Sequence, residues 1–139
     1  MPLRDIYTFV TMGKAFIPYT YATMFIDAPL SIERRAGQTS GTRILCLSGP
    51  LTLRNLFEFQ AELRQGLPPL VAIIDLSGVP YMDSAGMGSL INYYVHSEKN
   101  GITMIVAGVC PRVMELFKLT KVDSVIVLTA TVEEAEALA

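Results

Sequence analysis

From residue 29 onward, apolar positions come in blocks that switch between the strand period of two and the helical period near 3.6. Residues 30–34 are a short strand candidate, followed by a turn over Ala36-Gly37-Gln38-Thr39-Ser40-Gly41. Residues 43–48, RILCLS, read as a strand that stops at Gly49-Pro50. Thr52 is a fair N-cap for a helix over 53–65. In that helix Leu56, Phe59, Gln60 and Leu63 recur at helical spacing; Gly66 closes it and Pro68-Pro69 prevents continuation. The continuous apolar run 70–76 suits a central strand covered on both faces. A helix is expected from Ser84 to about Lys99, with Met87, Leu90, Ile91, Tyr94 and Val95 as its buried stripe. Asn100-Gly101 ends it. Residues 102–109 form another strand candidate. Pro111 can open a third helix, where its missing N–H costs nothing, with Val113, Leu116 and Phe117 inward. Residues 124–128, SVIVL, read as a last strand, and Thr131-Val132-Glu133-Glu134 as a capping box opening a terminal helix.

Strands alternating with helices predict an α/β fold: a mostly parallel sheet of four to five strands, with three to four helices packed mainly on one face. Residues 1–28 do not share the pattern. Their Met and Tyr residues follow no clear period, and Met24 opens a run, MFIDAPLSIERR, that would itself make a reasonable start. Residues 1–28 are therefore read as an N-terminal extension outside the core, with residues 1–23 as a misplaced translation start, and 29–139 as the domain. The extension is a candidate for self-association into a homodimer.

Composition narrows the function classes. Hydrophobic residues make up 51% and charged ones 17% of the 139 residues, which is globular. The net charge is −2 with no basic cluster, which argues against nucleic acid as a partner. Arg34 and Arg35 are the only adjacent basic pair and read as a solvated strand end. Cys46 and Cys110 lie in apolar stretches and read as buried reduced thiols without metal-ligand spacing. No metal and no cofactor is expected. No apolar stretch is long enough for a membrane span. Pro18, Thr20 and Thr23 interrupt the apolar residues 15–26, which resemble no signal peptide, so a cytoplasmic location is expected.

The most informative run is VAIIDLSGVPYMDSAGMGSL, residues 71–90. A buried strand ends, a Pro turns the chain, and Asp83-Ser84-Ala85-Gly86-Met87-Gly88 begins a helix. Ser84 is then a hydroxyl at a helix N-terminus, where unpaired N–H groups favour an anion. Two glycines this early cost about 1 kcal/mol each relative to alanine. They either let the helix pack closely on a neighbouring strand or leave bare backbone for another protein; Asp83 or Ser84 is the N-cap on either account.

This stretch, with CPRVMELFKLTKV at 110–122, resembles the STAS domain of bacterial anti-sigma factor antagonists, over residues 29–139. In that family a Val/Ile/Leu-rich strand leads to a Met/Ile-Asp-Ser-Ser/Thr/Ala-Gly-Leu-Gly motif, and an Arg-Val-x-x-x-Leu-x-Leu-x-Gly segment follows. The resemblance implies a partner switch. The unmodified protein binds an anti-sigma factor that is itself a serine kinase and frees a sigma factor; the kinase phosphorylates the serine after the motif Asp, here Ser84; a phosphatase resets it. Asp83 would orient the Ser84 loop or contact the kinase site, Ala85 would share the docking surface, and Gly86 and Gly88 would keep that surface flat. Met87 would anchor the helix inward. The sequence departs from the family twice. Gly49-Pro50-Leu51-Thr52 stands where Gly-Glu-Leu-Asp is common, and Lys121 stands where Gly is usual.

Catalysis is the reading from another class. Ser84 as a nucleophile needs an adjacent base. His96 falls 12 residues later on the same helix, about 18 Å along its axis, and reads as a surface residue. Asp75 resembles a receiver-domain phosphoacceptor but has no upstream acidic pair. The protein is therefore read as a binding module rather than an enzyme. The alternative within the same fold is a STAS subunit of a lipid or solute transporter, docking on an ATPase partner.

Overall fold

The computed structural model describes residues 28–139; the expectations placed on residues 1–27 lie outside them. Five strands form one sheet in the order β1-β2-β3-β4-β5: β1 (Ser31–Ala36), β2 (Thr42–Ser48), β3 (Val71–Gly78), β4 (Thr103–Ala107) and β5 (Val127–Thr129). β1 runs antiparallel to β2, and every other pair is parallel. The helices are α1 (Leu56–Arg64), α2 (Ser84–Asn100), α3 (Pro111–Leu119) and α4 (Val132–Leu138), with a 3₁₀ turn over Val122–Ser124.

Strand alternation divides the core into two layers. Leu45 and Leu47 of β2, Ile74 and Leu76 of β3, and Val106 of β4 point to one face, where they meet Phe59 and Leu63 of α1, Met87, Leu90 and Tyr93 of α2, and Val113 and Phe117 of α3. Ile44, Ile73 and Ile105 point to the other face, where Ala135 of the seven-residue α4 covers them. Three helices thus pack on one face and one short helix on the other, as the pattern predicts. The sheet's middle strand, β3, is covered on both sides, which is why its sequence is continuously apolar.

The boundaries hold where local chemistry dictates them. Gly101 takes φ 70° and ends α2. Thr131 caps α4 by accepting from the Glu134 N–H at 3.1 Å, while Glu134 accepts from the Ala130 N–H at 3.0 Å. The reciprocal bond of the capping box thus reaches one residue further back than the motif implies.

Several expectations are corrected. The first helix starts at Leu56, not 53, and Thr52 is not its cap. Asn55 instead binds both ends of a tight turn, accepting from the Thr52 N–H at 2.9 Å and donating to the Pro50 carbonyl at 2.7 Å. The last strand is Val127–Thr129 rather than 124–128, because 122–124 coil into the 3₁₀ turn that closes α3. Arg34 is more than a solvated strand end. It donates to the Glu62 carboxylate at 3.0 Å and to the Glu62 carbonyl at 2.9 Å, supplying donors to the last turn of α1. Both cysteines are half-buried rather than buried. Burial still pushes the Cys46 thiol upward, against the opposing pull of the Arg35 guanidinium, so it is a weak nucleophile at neutral pH.

Lys121 is the sole non-glycine residue with positive φ among the described residues (62°). A Cβ crowds the backbone in this left-handed conformation. Lys121→Gly is expected to raise the midpoint of urea unfolding, by about 0.5–1 kcal/mol of stability once glycine's greater unfolded-state entropy is subtracted. An unchanged or lowered midpoint contradicts this account.

Candidate functional site

The site forms where β2 and β3 leave the sheet side by side. Past its strand, Leu51 continues alongside the segment leading into α2, and it pairs with Met82 as an isolated parallel bridge. The Leu51 N–H donates to the Tyr81 carbonyl at 3.0 Å, and the Leu51 carbonyl accepts from the Asp83 N–H at 3.3 Å. Leu51 itself is fully buried. The two connections therefore enter their helices as one unit.

Asp83 fixes this unit. It is the N-cap of α2, with extended backbone, and one carboxylate oxygen accepts from the Gly86 N–H at 2.8 Å. Its other oxygen accepts from the Leu53 N–H at 3.1 Å, across 30 residues of sequence. One carboxylate thus satisfies an orphan donor of the helix start and holds the loop before α1 against it. Through these two bonds Asp83 ties the start of α2 to the loop before α1.

Ser84 is the first residue of α2 and is exposed. Its side chain stands beside the Asp83 clamp, at the positive end of a 17-residue helix. Ala85 behind it is half-buried. Met87 is buried, pointing into the core as expected. Tyr81, just before the cap, carries the Arg112 guanidinium of α3 over its ring at 5.5 Å. Arg54 directly follows Leu53, so a cation lies one residue beyond the loop end of the Asp83 clamp.

The two glycines have different reasons. Gly86 is buried, and a Cβ there would overlap the Leu51 carbonyl oxygen and lie 3.0 Å from its carbon. It is a close-packing glycine, and the expectation that it keeps a docking surface flat is corrected to that extent. The Ser89 hydroxyl donates to the Gly86 carbonyl at 2.6 Å and stays buried beside it. A Cβ on Gly88 would meet nothing within 4 Å. Nothing among the described residues requires glycine at that position.

This close approach also turns the helix. The buried face of α2 is Gly86, Met87, Ser89, Leu90, Tyr93 and Ser97, not the stripe through Ile91, Tyr94 and Val95. Ile91 and Val95 are 37% and 45% exposed. Sequence reading counted large apolar side chains and so missed a helix whose buried face includes small residues. The signal was present: Gly86, Ser89, Tyr93 and Ser97 recur at helical spacing.

The other chemistry-bearing residues lie elsewhere. His96 sits three turns along α2, its Nδ1 3.3 Å from the Asn100 amide nitrogen and its ring stacked on Tyr93. The Asp75 carboxylate accepts from the Ser77 N–H at 3.0 Å in a local turn. Among the described residues, no group of three or more His, Cys, Asp or Glu could hold a metal ion, and no helix is long and apolar enough to cross a membrane.

The STAS domain family model matches residues 33–135, which run from β1 through β5 into the last helix. The chain belongs to the STAS domain family. Solved structures of both functional branches resemble this STAS domain. An anti-sigma factor antagonist from Mycobacterium paratuberculosis is 20% identical, with 79% of this chain and 93% of that one covered at a TM-score of 0.69. The anti-sigma factor antagonist SpoIIAA in its unphosphorylated form is 22% identical, covering 76% and 92%, at 0.63. A sulfate transporter family protein from Wolinella succinogenes is 22% identical, covering 70% and 84%, at 0.65. At these identities the likeness establishes the shared fold.

The STAS domain's two glycines predict opposite effects. Gly86→Ala is expected to destabilise by about 2 kcal/mol, because a rigid carbonyl cannot yield to the added methyl. Gly88→Ala is expected to stabilise by up to about 1 kcal/mol through helix propensity alone. Chemical unfolding of both variants checks this, and effects of the same sign contradict the packing argument. Asp83→Ala is expected to cost about 1–2 kcal/mol through loss of the cap, measured in the same way.

Proposed function

We propose that this STAS domain is an anti-sigma factor antagonist, a phosphorylation-switched module in the cytoplasm whose partner is an anti-sigma factor that is also a serine kinase. The observation that carries this reading is an exposed Ser84 hydroxyl on the first turn of a helix whose start is clamped by Asp83. A flexible serine would move away from an added charge. A serine on a fixed helix start cannot, so the charge is delivered to the docking surface.

Unmodified, the Ser84 face binds the partner and thereby frees a sigma factor. Phosphorylation places about −1.5 to −2 charges on that face. Desolvating that charge against a surface shaped for a small neutral hydroxyl is costly. A loss of ~3 kcal/mol lowers affinity about a hundredfold, which is enough to release the partner. Within the free domain the same phosphate is tolerated, since the N-terminal dipole of α2 favours an anion. A phosphatase resets the cycle. Asp83, Ala85 and Gly88 border Ser84 on this face, while Gly86 contributes through packing alone.

The sulfate transporter relative favours a second reading, in which the same fold is a transporter component docking on an ATPase partner. The two readings differ in what happens at Ser84. On incubation with ATP and the serine kinases of the source organism, mass spectrometry is expected to find one phosphate on Ser84, absent from Ser84→Ala. Ser84→Asp is expected to bind the kinase about a hundredfold more weakly than wild type. Equal affinity of Ser84→Asp and wild type overturns the electrostatic release. Absence of phosphate, together with capture of a transport ATPase, decides for the second reading.

A further inference from the structure

The rotation of α2 that buries Gly86 leaves a second feature of the same face. Ser84, Gly88, Ile91 and Val95 follow one another at helical spacing along α2, running from the phosphoacceptor toward the far end of the helix. Leu53, in the loop before α1, and Phe57, in its first turn, are 63% and 70% exposed. Between the two helices lies an open cleft of about 630 Å³, lined among others by Phe57, Gln60, Asn92, Tyr93 and Val95. Its charge is one-sided: Arg64 and Lys99 line it beside His96, and no Asp or Glu among the described residues does, in a chain whose net charge is −2. A smaller cleft continues from Arg64 and His96 to Arg43. Burial pushes the Tyr93 phenol upward, so it stays neutral and adds no negative charge to the floor.

We propose that this α1–α2 cleft is the docking site for an amphipathic helix of the partner protein, with apolar residues at positions three and four apart and carboxylates at the end that meets Arg64 and Lys99. The inference deepens the proposed switch and rests on it for the partner's role, but not for the binding itself. The charge of the cleft selects the occupant: two permanent cations at one end of a trough with apolar walls at Phe57, Tyr93 and Val95 complement an acidic, amphipathic segment. Its shape selects a helix, because a trough between two helices accepts side-chain ridges along its length. A flat lipid surface would touch only the crests at Phe57 and Val95. From Ser89 to Lys99 the trough runs about 15 Å along α2, nearly three turns of helix. A bound helix longer than the cleft would extend its apolar end toward Ser84. Added phosphate obstructs that end and is costly to desolvate against it, while the carboxylates at the far end lie beyond a Debye length; Gly88 leaves the backbone open along the approach.

The test uses a fluorescein-labelled 18-residue helical peptide with leucines spaced three and four apart and glutamates clustered at one end, and a twin with lysines in place of the glutamates. Fluorescence anisotropy with the full chain is expected to show saturable binding of the acidic peptide, about tenfold or more tighter than the twin. Arg64→Glu with Lys99→Glu, and separately Val95→Glu, are each expected to weaken it about tenfold or more. All three residues are exposed, and unchanged thermal unfolding of each variant verifies folding. Glu133→Gln, exposed on α4 at the other face of the sheet, is expected to leave peptide binding within about twofold. Equal binding of the two peptides, or indifference to Arg64→Glu with Lys99→Glu, overturns the proposal. So does binding to phosphatidylglycerol vesicles without binding to the peptide, or a dimer in sedimentation that Val95→Glu dissolves. The two readings fail separately. Peptide binding without any kinase acting on Ser84 removes the switch and keeps the cleft; phosphate on Ser84 without peptide binding removes the cleft and keeps the switch.

Discussion

The contact between the Leu51 carbonyl and Gly86 governs how the functional face is built. Two connections leave adjacent parallel strands, and one of them must begin a helix against the backbone of the other. Only a residue without a Cβ permits that approach. Once Gly86 is committed to the inside, the helical period assigns every later position of α2: Ser89, Tyr93 and Ser97 go inward and Gly88, Ile91 and Val95 outward. The exposure of Ile91 and of Val95, which lines the cleft beside α1, is thus a consequence of a backbone contact several turns away. A helix packed by its large residues alone would have buried both.

Asp83 turns this packing into electrostatic precision. Its two oxygens are taken by N–H groups of two different loops, so the carboxylate is spent on local order before any partner arrives. Its negative charge is partly offset by the donors it accepts and by the helix dipole. Ser84 stands next to this engaged carboxylate, at the positive end of α2. On the proposed reading an added phosphate, about −1.5 to −2 charges, is the dominant change there, which is the condition for a switch rather than a gradation.

Much of the architecture was legible because it is enforced locally. β3 reads as a central strand because both its faces are buried; Gly101, Thr131 and Asp83 mark helix ends because their conformation or side-chain oxygen is needed there. What was not legible depends on distant partners. Arg34 reads as a surface charge until β1 is seen to place it against the last turn of α1. Thr52 has the composition of a cap, yet the bridge between Leu51 and Met82 carries the chain past it, and Asn55 takes over the turn. The face of α2 was misread for the same reason: apolar periodicity weighs side-chain size, whereas the deciding contact is one between backbones. Gly86 and Gly88 are indistinguishable in sequence and become different residues only when Leu51 lies beside one of them.

The departure from the family at 49–52 gains a physical meaning from this geometry. Where the resemblance leads one to expect an acidic pair near the phosphoacceptor, this chain has Pro50 and Thr52, with Arg54 two residues on. Thr52 is buried and engaged in the Asn55 turn, so the loop contributes order rather than charge to the Ser84 face. A partner evolved for an acidic rim would find here a rim with Arg54 and Arg112 nearby and a trough ending in Arg64 and Lys99. Charge of that sign suits an acidic companion and disfavours a basic one by like-charge juxtaposition. On the proposed reading the hydroxyl, its cap and its packing glycine stay in place, while the charges around them favour an acidic partner.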